Sequence, residues 1–585
     1  MMMRHFSNKS YINGSSPARG EARNKKGEET AVWLLLWTFA ACLIPNIWLA
    51  IADRMSLLPA LTNIVFPAGL YLLFLSAGRK IGIRVLCCIV LFVLASFQMV
   101  LLFMYGRSII AVDMFLNVVT TNSAEIGELL GNLSSIIALI IVVYLPPLIV
   151  GVISIPQHWE LPMRFKRKAL NTSWVLTFAG LIMLGGCYLL KPDEYKVYCD
   201  LYPANVCYNL KEAVHRTFKT AKYQENVANV KYPAVSTHPD SVPETYVLVI
   251  GETSRAENWQ LGGYGRQTNP ELIGKEGLVY FPKTFSQSNT THKSVPMLFS
   301  HLDATTFGDS IYHTKSLLNA FRNAGFHTSF YTAQSPNHSF IDFFGEEADD
   351  WVFIRENADP EAPFSDLDLL SYLDKELASG HKKKLIVLHT YGSHFNYIDR
   401  YPRDKARFLP DGPAEATKEY RKEQINAYDN TIALTSELLS EVIDRLNKRD
   451  GYASMLYTSD HGEDIFDDDR NLFLHASPVP SYYQIHVPFI VWNNSELRKD
   501  YKEKAEALDG NREKRVASSV ALYHTLMDMA GIVTPQVKPE SSLASSDYTP
   551  DEFLYLNDHN KGVPLTKCGL RKQDYQKLDS IGISF

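Results

Sequence analysis

The chain has 585 residues, of which 46% are hydrophobic and 21% are charged, and this composition excludes a disordered tail or a small disulfide-stabilised domain. Its net charge of −6 comes from 58 basic and 64 acidic residues, so there is no overall basic surface and nucleic acid is not an expected partner. The seven cysteines include no Cys-x-x-Cys pair, which excludes a zinc ribbon.

Five apolar segments in the first third of the chain are each about 20 residues long, which is enough to cross a bilayer as a helix. They lie at 32–52, 56–77, 82–104, 134–155 and 172–190. Prolines within or beside these segments leave re-entrant loops as the alternative interpretation. A polar stretch of about 30 residues precedes the first segment, which argues against a cleaved signal peptide. The sequence therefore predicts a transmembrane domain with five helices.

The distribution of lysine and arginine predicts the orientation of these helices. Basic residues gather before the first segment, around the second loop and in the fourth loop, whereas the first and third loops contain only Arg54 and Arg107. Because basic loops stay on the cytoplasmic side, the N-terminus is expected in the cytoplasm. Five crossings then place the chain after residue 190 outside the cytoplasm.

From about residue 240 onward, short apolar runs alternate with helical patterns. Strands are predicted at 246–250, 385–388, 454–457 and 488–492, and helices at 315–324, 417–447 and 516–530. This alternation is typical of an α/β domain with a mostly parallel central sheet. Residues 191–240 contain four prolines and little periodicity, so they are interpreted as a connector.

Polar residues follow the predicted strands, where the chemistry of a parallel sheet gathers. Glu252 follows the first strand, and the adjacent pair Asp460 and His461 follows the third. Carboxylate and imidazole groups are ligands of catalytic zinc. A lone glutamate at such a place is more often a charge partner of a helix N-terminus than a metal ligand, and isolated histidines such as His394 and His475 are more often surface residues. The Asp460 and His461 pair is the strongest of these signals.

A polar loop at 286–296 contains four candidate hydroxyl nucleophiles, which are Ser288, Thr290, Thr291 and Ser294. A hydroxyl needs a base or a metal to become a good nucleophile, and the residues alone do not choose among the four. An acidic run at Asp464 and 467–469 lacks the alternating ligands and central glycine of an EF-hand. We expect that run to be a solvated loop.

Several spaced motifs lie in the C-terminal part of the chain: Gly251-Glu252-Thr253-Ser254-Arg255, Gly263-Tyr264, Thr268-Asn269-Pro270, Ser294-Val295-Pro296-Met297 and Ser459-Asp460-His461-Gly462-Glu463. Together with the five apolar segments, these motifs resemble the phosphoethanolamine transferases of Gram-negative bacteria. The resemblance covers essentially the whole chain. It implies a cytoplasmic tail at 1–31, a membrane domain at 32–190, a periplasmic connector at 191–240 and an α/β/α catalytic domain of the alkaline phosphatase and sulfatase superfamily at 241–585. The protein would lie in the bacterial inner membrane.

The resemblance also implies roles for individual residues. Thr291 corresponds to the nucleophile, and one tightly bound Zn²⁺ would be held by Glu252, Thr291, Asp460 and His461. His394 and His475 match positions that bind a second metal or the substrate phosphate. His338 falls near a position that contacts the phosphoryl group.

The implied reaction takes phosphoethanolamine from the membrane lipid phosphatidylethanolamine and passes it, through a covalent threonine intermediate, to lipid A or a lipopolysaccharide core sugar. The stretch 392–394 together with 400–402 looks more like the branch that modifies core sugars. Added phosphoethanolamine places an ammonium beside the acceptor's phosphates, so polymyxin resistance is an expected consequence.

Three other functions are alternatives to this transferase activity. A phosphoglycerol transferase of the lipoteichoic acid synthase type would share the five helices, the superfamily domain and the threonine, but the motifs at 252–255 and 294–296 argue against it. A sulfatase would need Cys-x-Pro-x-Arg, which does not occur in the chain. A non-catalytic membrane protein that kept the fold would be expected to have lost part of the ligand set, and all the candidate ligands are present.

Overall fold

A computed structural model describes residues 17–53, 55–105, 110–120, 133–190, 195–357, 365–413 and 417–585. The chain forms two compact units, one comprising Met1–Phe103 with Leu133–Cys207 and the other Met104–Asn132 with Tyr208–Phe585. Residues 104–132 therefore belong to the second unit, although in sequence they interrupt the first. The domain boundaries expected from the sequence stay predictions.

The first unit is helical. Among the described residues, four helices are long and apolar enough to cross a membrane, and a fifth span is formed if two helices bent by 49° are counted together. The membrane-embedded helices are thus confirmed, with a broken helix in place of the continuous span expected at 82–104. The helices are Pro17–Ala52, Leu57–Ser76, Ile81–Cys87, Ile89–Tyr105, Ser134–Ser154, Met163–Leu190 and the short Val197–Asp200.

Two features explain how these helices form and pack. Pro45, Pro67 and the 146–147 pair lie inside continuous helices, so the re-entrant alternative does not apply to those segments. The Leu57–Ser76 and Met163–Leu190 helices approach closely at Gly180. A Cβ atom at this position would lie only 2.5 Å from Cα of Phe66. Small residues at such contacts allow membrane helices to pack tightly.

The second unit is built on a seven-stranded sheet, and its mostly parallel character is confirmed. Its strands are β1 (Glu244–Gly251), β2 (Leu278–Tyr280), β3 (His327–Thr332), β4 (Asp350–Phe353), β5 (Lys383–His389), β6 (Tyr452–Ser459) and β7 (Phe489–Asn493). They are ordered β2-β7-β6-β1-β5-β3-β4. Of these seven strands, β7 alone runs in the direction opposite to the other six. The chain returns from β6 to β7 through loops and short elements, and an antiparallel return needs no long crossover.

Helices cover both faces of this sheet, which gives the predicted α/β/α arrangement. Leu248 and Ile250 of β1 pack in one cluster with residues of Ser518–Met529, and Val247 and Val249 pack in another with residues of Arg421–Leu446. Because both faces are buried, β1 is continuously apolar rather than alternating. The predicted strands at 246–250, 385–388, 454–457 and 488–492 correspond to β1, β5, β6 and β7, whereas β2, β3 and β4 were not predicted.

The remaining elements of the second unit surround the sheet. The helices are Val112–Thr120, Ala204–Thr220 (which begins in the first unit), Tyr223–Val227, Thr291–Leu298, Phe307–Ser310, Leu317–Asn323, Phe340–Gly345, Leu369–Leu377, Arg421–Leu446, Tyr482–Ile485, Ser495–Asp500, Lys502–Asn511, Ser518–Met529 and Lys572–Ser580. Small two-stranded pairs are Val235–Ser236 with Ile532–Val533, Thr284–Phe285 with Val516–Ala517, Asp464–Ile465 with Phe473–Leu474, and Leu554–Leu556 with Gly562–Pro564.

Candidate active site

The carboxyl ends of β1 and β6 lie side by side and bring four predicted site residues together. Glu252 directly follows β1, Asp460 and His461 directly follow β6, and Thr291 is the first residue of the Thr291–Leu298 helix. The Oγ1 atom of Thr291 lies 3.1 Å from Nε2 of His461 and 3.3 Å from Oε1 of Glu252. His461 Nε2 is in turn 3.2 Å from Oδ2 of Asp460 and 3.6 Å from Oε1 of Glu252.

Hydrogen bonds from the loops fix the orientation of these groups. Oδ1 of Asp460 accepts bonds from the backbone N–H groups of Thr253 and His461, at 3.0 and 2.7 Å. Nδ1 of His461 lies 3.0 Å from the carbonyl oxygen of Gly462. A carbonyl oxygen only accepts, so Nδ1 carries the proton and the lone pair of Nε2 faces the other groups.

The site concentrates buried acidic groups whose charge is disfavoured in the absence of a cation. Burial and the nearby Asp460 raise the pKa of Glu252 to about 7. Burial likewise raises the pKa of Asp460 to about 7, and burial beside His475 lowers the pKa of His461 well below its usual value. A divalent cation would offset the cost of ionising both carboxylates.

The arrangement fits a four-coordinate metal ion. Ligand atoms about 2.0–2.1 Å from a tetrahedral ion lie about 3.3 Å from one another, and the separations given above range from 3.1 to 3.6 Å. Oδ2 of Asp460 is buried without a hydrogen-bond partner among the described residues. An orphaned carboxylate oxygen beside a nitrogen lone pair is a donor set that suits zinc.

His475 and His394 border this group. Glu252, His461 and His475 each offer a ligand atom within 4.8 Å of the others. The ring of His475 lies 4.2 Å from that of His461 and 6.1 Å from that of His394, measured between ring centres. Nδ1 of His475 is 3.0 Å from Oε2 of the buried Glu463. His475 is therefore close enough to Glu252 and His461 to share a metal ion with them, whereas His394 lies next to His475.

His338 is not one of the residues that form the contacts around Thr291 described above. It is exposed, and its backbone N–H donates to Oδ2 of Asp342 at 2.5 Å. It lines a cavity of about 300 Å³ together with His292 and aromatic side chains that include Phe307 and Phe340. The cavity thus reaches His292, the residue next to Thr291 in sequence.

Among the four candidate hydroxyls, Thr291 is the one that contacts Glu252 and His461. Ser288 and Thr290 are hydrogen-bond partners of each other at 3.2 Å, and Ser294 lies against Ser286 at 3.4 Å. The residue pattern did not choose among the four candidate nucleophiles, and the geometry favours Thr291.

The structure adds a residue that sequence analysis missed. Gln334 Nε2 donates to Oε2 of Glu252 at 2.9 Å and to the carbonyl oxygen of Thr390 at 3.2 Å. Gln334 follows β3, so the signal was its place after a strand, but β3 itself was not predicted.

The expectation of a solvated acidic loop was wrong for Asp464 and Asp467, whereas Asp469 is exposed. Asp464 is buried and accepts hydrogen bonds from Ser481 and Gln484, both at 2.8 Å. Asp467 forms a buried ion pair with Arg255 at 2.6 Å. Hydrogen-bond and ion-pair partners that are distant in sequence stabilise these buried carboxylates. No local sequence pattern therefore indicates that the two residues are buried.

Comparison with known proteins shows what the chain is similar to. A sulfatase family model matches residues 244–532, and a model of the phosphoethanolamine transferases EptA and EptB matches residues 64–198. The Kdo(2)-lipid A phosphoethanolamine 7''-transferase of Escherichia coli K12 is 30% identical over 312 residues, which are 51% of this chain and 53% of that protein. The chain is therefore similar to phosphoethanolamine transferases in both its helical N-terminal part and its α/β part. It spans about half the length of the curated relatives that it matches.

Solved structures of the phosphoethanolamine transferase family share the fold. The integral membrane lipooligosaccharide phosphoethanolamine transferase A of Neisseria meningitidis aligns with a TM-score of 0.66 and 22% identity, covering 89% of this chain and 98% of that one. The periplasmic domain of EptC from Escherichia coli, solved in complex with zinc, aligns with a TM-score of 0.52 and 22% identity, covering 59% of this chain and 99% of that one.

Proposed function

We propose that this protein transfers phosphoethanolamine from phosphatidylethanolamine to lipid A or a lipopolysaccharide core sugar, with Thr291 as the nucleophile. The observation that carries the proposal is the position of the Thr291 hydroxyl, which lies within 3.4 Å of both Glu252 and His461. Similarity to phosphoethanolamine transferases supports the chemical class of the transferred group, and the names of the relatives point to lipid A and lipooligosaccharide as acceptors.

Glu252, Thr291, Asp460 and His461 would hold a zinc ion, as the fit of their donor atoms and the zinc complex of the related EptC domain support. When bound, the ion favours the ionised form of a hydroxyl and stabilises negative charge on phosphoryl oxygens. His394 and His475 lie beside this group and would bind the substrate phosphate or a second metal ion. His338, farther along the neighbouring cavity, would contact the phosphoryl group.

The reaction proceeds in two displacements. Oγ1 of Thr291 bonds to the phosphorus of the donor while the bond from phosphorus to the glycerol oxygen breaks, and the threonine proton ends on the departing diacylglycerol. An acceptor oxygen then bonds to the same phosphorus, and Thr291 leaves and regains a proton from the acceptor hydroxyl. The largely apolar cavity of about 300 Å³ beside His292 is suited to the lipid part of the donor.

The expected topology serves this reaction. With the N-terminus in the cytoplasm and the second unit in the periplasm, the site would be on the side where the acceptor glycolipid is modified. The product carries an added ammonium, which lowers the attraction for cationic peptides such as polymyxin.

Mass spectrometry of lipid A and core oligosaccharide tests the proposal, comparing cells that contain the wild type, Thr291→Ala or no protein. We expect a phosphoethanolamine mass increment in one fraction of the wild type only, together with higher polymyxin survival. The fraction that carries the increment names the acceptor. An unchanged pattern in both fractions, from a protein that contains zinc, would refute the proposed acceptors, and a protein without zinc would support the non-catalytic alternative.

A further inference from the structure

Asp113 is a buried acidic residue outside the group described above. It lies in the first turn of the Val112–Thr120 helix, in the segment that interrupts the membrane helices in sequence but belongs to the second unit. Its side chain is about 10% exposed. A buried carboxylate is costly unless it is paired and hydrogen-bonded, so its partners are informative.

Both carboxylate oxygens of Asp113 contact the residues that directly follow Thr291. Oδ2 accepts a hydrogen bond from Nζ of Lys293 at 2.5 Å, and Oδ1 lies 3.1 Å from Nε2 of His292. The guanidinium of Arg216 lies 3.8 Å from Oδ1. The Lys293 side chain is only 2% exposed, so water does not replace this pairing.

A second set of contacts holds Asp113 itself in place. The backbone N–H groups of Val112 and Asp113 donate to the carboxylate of Asp558, at 2.8 and 2.9 Å. The neighbouring carbonyl oxygen of Asn557 accepts a hydrogen bond from Nζ of Lys293 at 2.9 Å. Asp113 and Lys293 are therefore fixed to each other and to the same turn, and neither can shift without disturbing the start of the Thr291–Leu298 helix.

We infer that Asp113 is a positioning residue that sets the place of the Thr291 hydroxyl through His292 and Lys293. The inference rests on the proposed role of Thr291 as the nucleophile. A displacement of about 1 Å at a reacting atom can cost about 10²-fold in rate, and Oγ1 of Thr291 has to keep contacts of 3.1 to 3.4 Å with two other residues. A buried ion pair that only stabilises the fold would affect stability without changing the rate of the folded enzyme.

The test uses the full-length protein in lipid nanodiscs and measures how fast Thr291 acquires phosphoethanolamine over a range of phosphatidylethanolamine contents up to saturation. Intact-protein mass spectrometry follows a single turnover. We expect Asp113→Asn to slow this step by about 10- to 100-fold, with the KM for the donor changed less than about threefold, and Asp113→Glu to recover part of the rate. The control is Asp309→Asn, which breaks the exposed ion pair with Lys219 at 2.8 Å and should leave the rate unchanged.

A second variant controls for misfolding of Asp113→Asn, which leaves the buried Lys293 and Arg216 side chains without their partner. The double variant Asp113→Leu with Lys293→Met removes the carboxylate and the amine together, and it should fold and remain slow. Folded variants that modify Thr291 at the wild-type rate would overturn the inference. If the wild type itself acquires no phosphoethanolamine, the proposed function fails instead. In that case amide hydrogen exchange of residues 290–298 tests the role of Asp113 independently. If Asp113 positions this segment, its amides exchange faster in Asp113→Asn than in the wild type, and equal exchange rates would contradict the inference.

Discussion

The Oδ2 atom of Asp460 lies 3.2 Å from Nε2 of His461 and has no hydrogen-bond partner among the described residues. Leaving such an oxygen unsatisfied is expensive unless a cation completes its environment. We therefore expect Asp460→Asn to weaken zinc binding by at least about 10²-fold, because it removes a charged donor and retains the shape. Competition with a chelating dye measures the affinity. Asp469→Asn changes an exposed carboxylate of the same segment and should bind zinc like the wild type, and equal affinities for all three proteins would exclude Asp460 as a ligand.

Gln334 orients Glu252, since its amide donates to Oε2 of Glu252 at 2.9 Å. Without this bond Oε2 of Glu252 loses a donor, although Oε1 still accepts from the Thr253 hydroxyl at 2.6 Å. We expect Gln334→Ala to lower zinc affinity or transfer activity by about 10- to 100-fold, as loss of a supporting hydrogen bond does at other metal sites. Gln573→Ala removes a glutamine that donates to Asp469 at 2.7 Å and serves as the control. A Gln334→Ala enzyme with wild-type affinity and rate would show that Glu252 is held by other contacts.

Gln334 also shows where prediction from the sequence stops. Glu252, Asp460 and His461 follow β1 and β6, whose continuous apolar runs mark buried parallel strands. Gln334 follows β3, whose sequence His327-Thr-Ser-Phe-Tyr-Thr332 mixes polar and aromatic residues although it is buried from Thr328 onward. Because the strand was not recognised, the residue after it was not considered.

Long-range and tertiary effects account for the other differences. Asp113 meets Lys293 across 180 residues, and no local pattern encodes such a contact. Hydropathy located the membrane segments, since each needs only enough apolar length. It did not reveal the 49° bend after Cys87, because a bend changes direction without changing composition.

Gly392 is required by the close packing of the loop after β5 against Glu252. Its φ is +52°, and a Cβ atom there would lie 2.6 Å from the carbonyl oxygen of Glu252 and 2.9 Å from its nitrogen. Gly392→Ala should therefore displace the Glu252 backbone, destabilising the protein by about 1–3 kcal/mol and weakening zinc binding. Thermal unfolding and dye competition measure the two effects. At Gly380 a Cβ atom would meet nothing within 4 Å, so Gly380→Ala should change neither, and a Gly392→Ala protein that matches it would disprove this constraint.

Asp464 should make the stability of the second unit depend on pH. Burial, together with the nearby Asp467, raises the pKa of Asp464 to about 7 in the folded protein, against 3.8 for an ordinary aspartate. The folded state then binds the proton more tightly than the unfolded state, so this stabilising contribution is complete below about pH 4 and is lost as the pH rises through 7. Each pH unit over which only the folded state holds the proton costs about 1.4 kcal/mol.

Asp464→Asn isolates this effect, because asparagine does not titrate. The substitution also disturbs the hydrogen bonds with Ser481 and Gln484, but that offset is independent of pH. We expect the Tm of the variant relative to the wild type to rise by at least about 2 °C between pH 5 and pH 8, measured on the full-length protein in detergent. Asp469→Asn, at an exposed position, should give a curve parallel to the wild type. If the Asp464→Asn curve is also parallel, the carboxylate ionises in the folded protein as an ordinary aspartate does, and its two hydrogen bonds then offset the cost of burial.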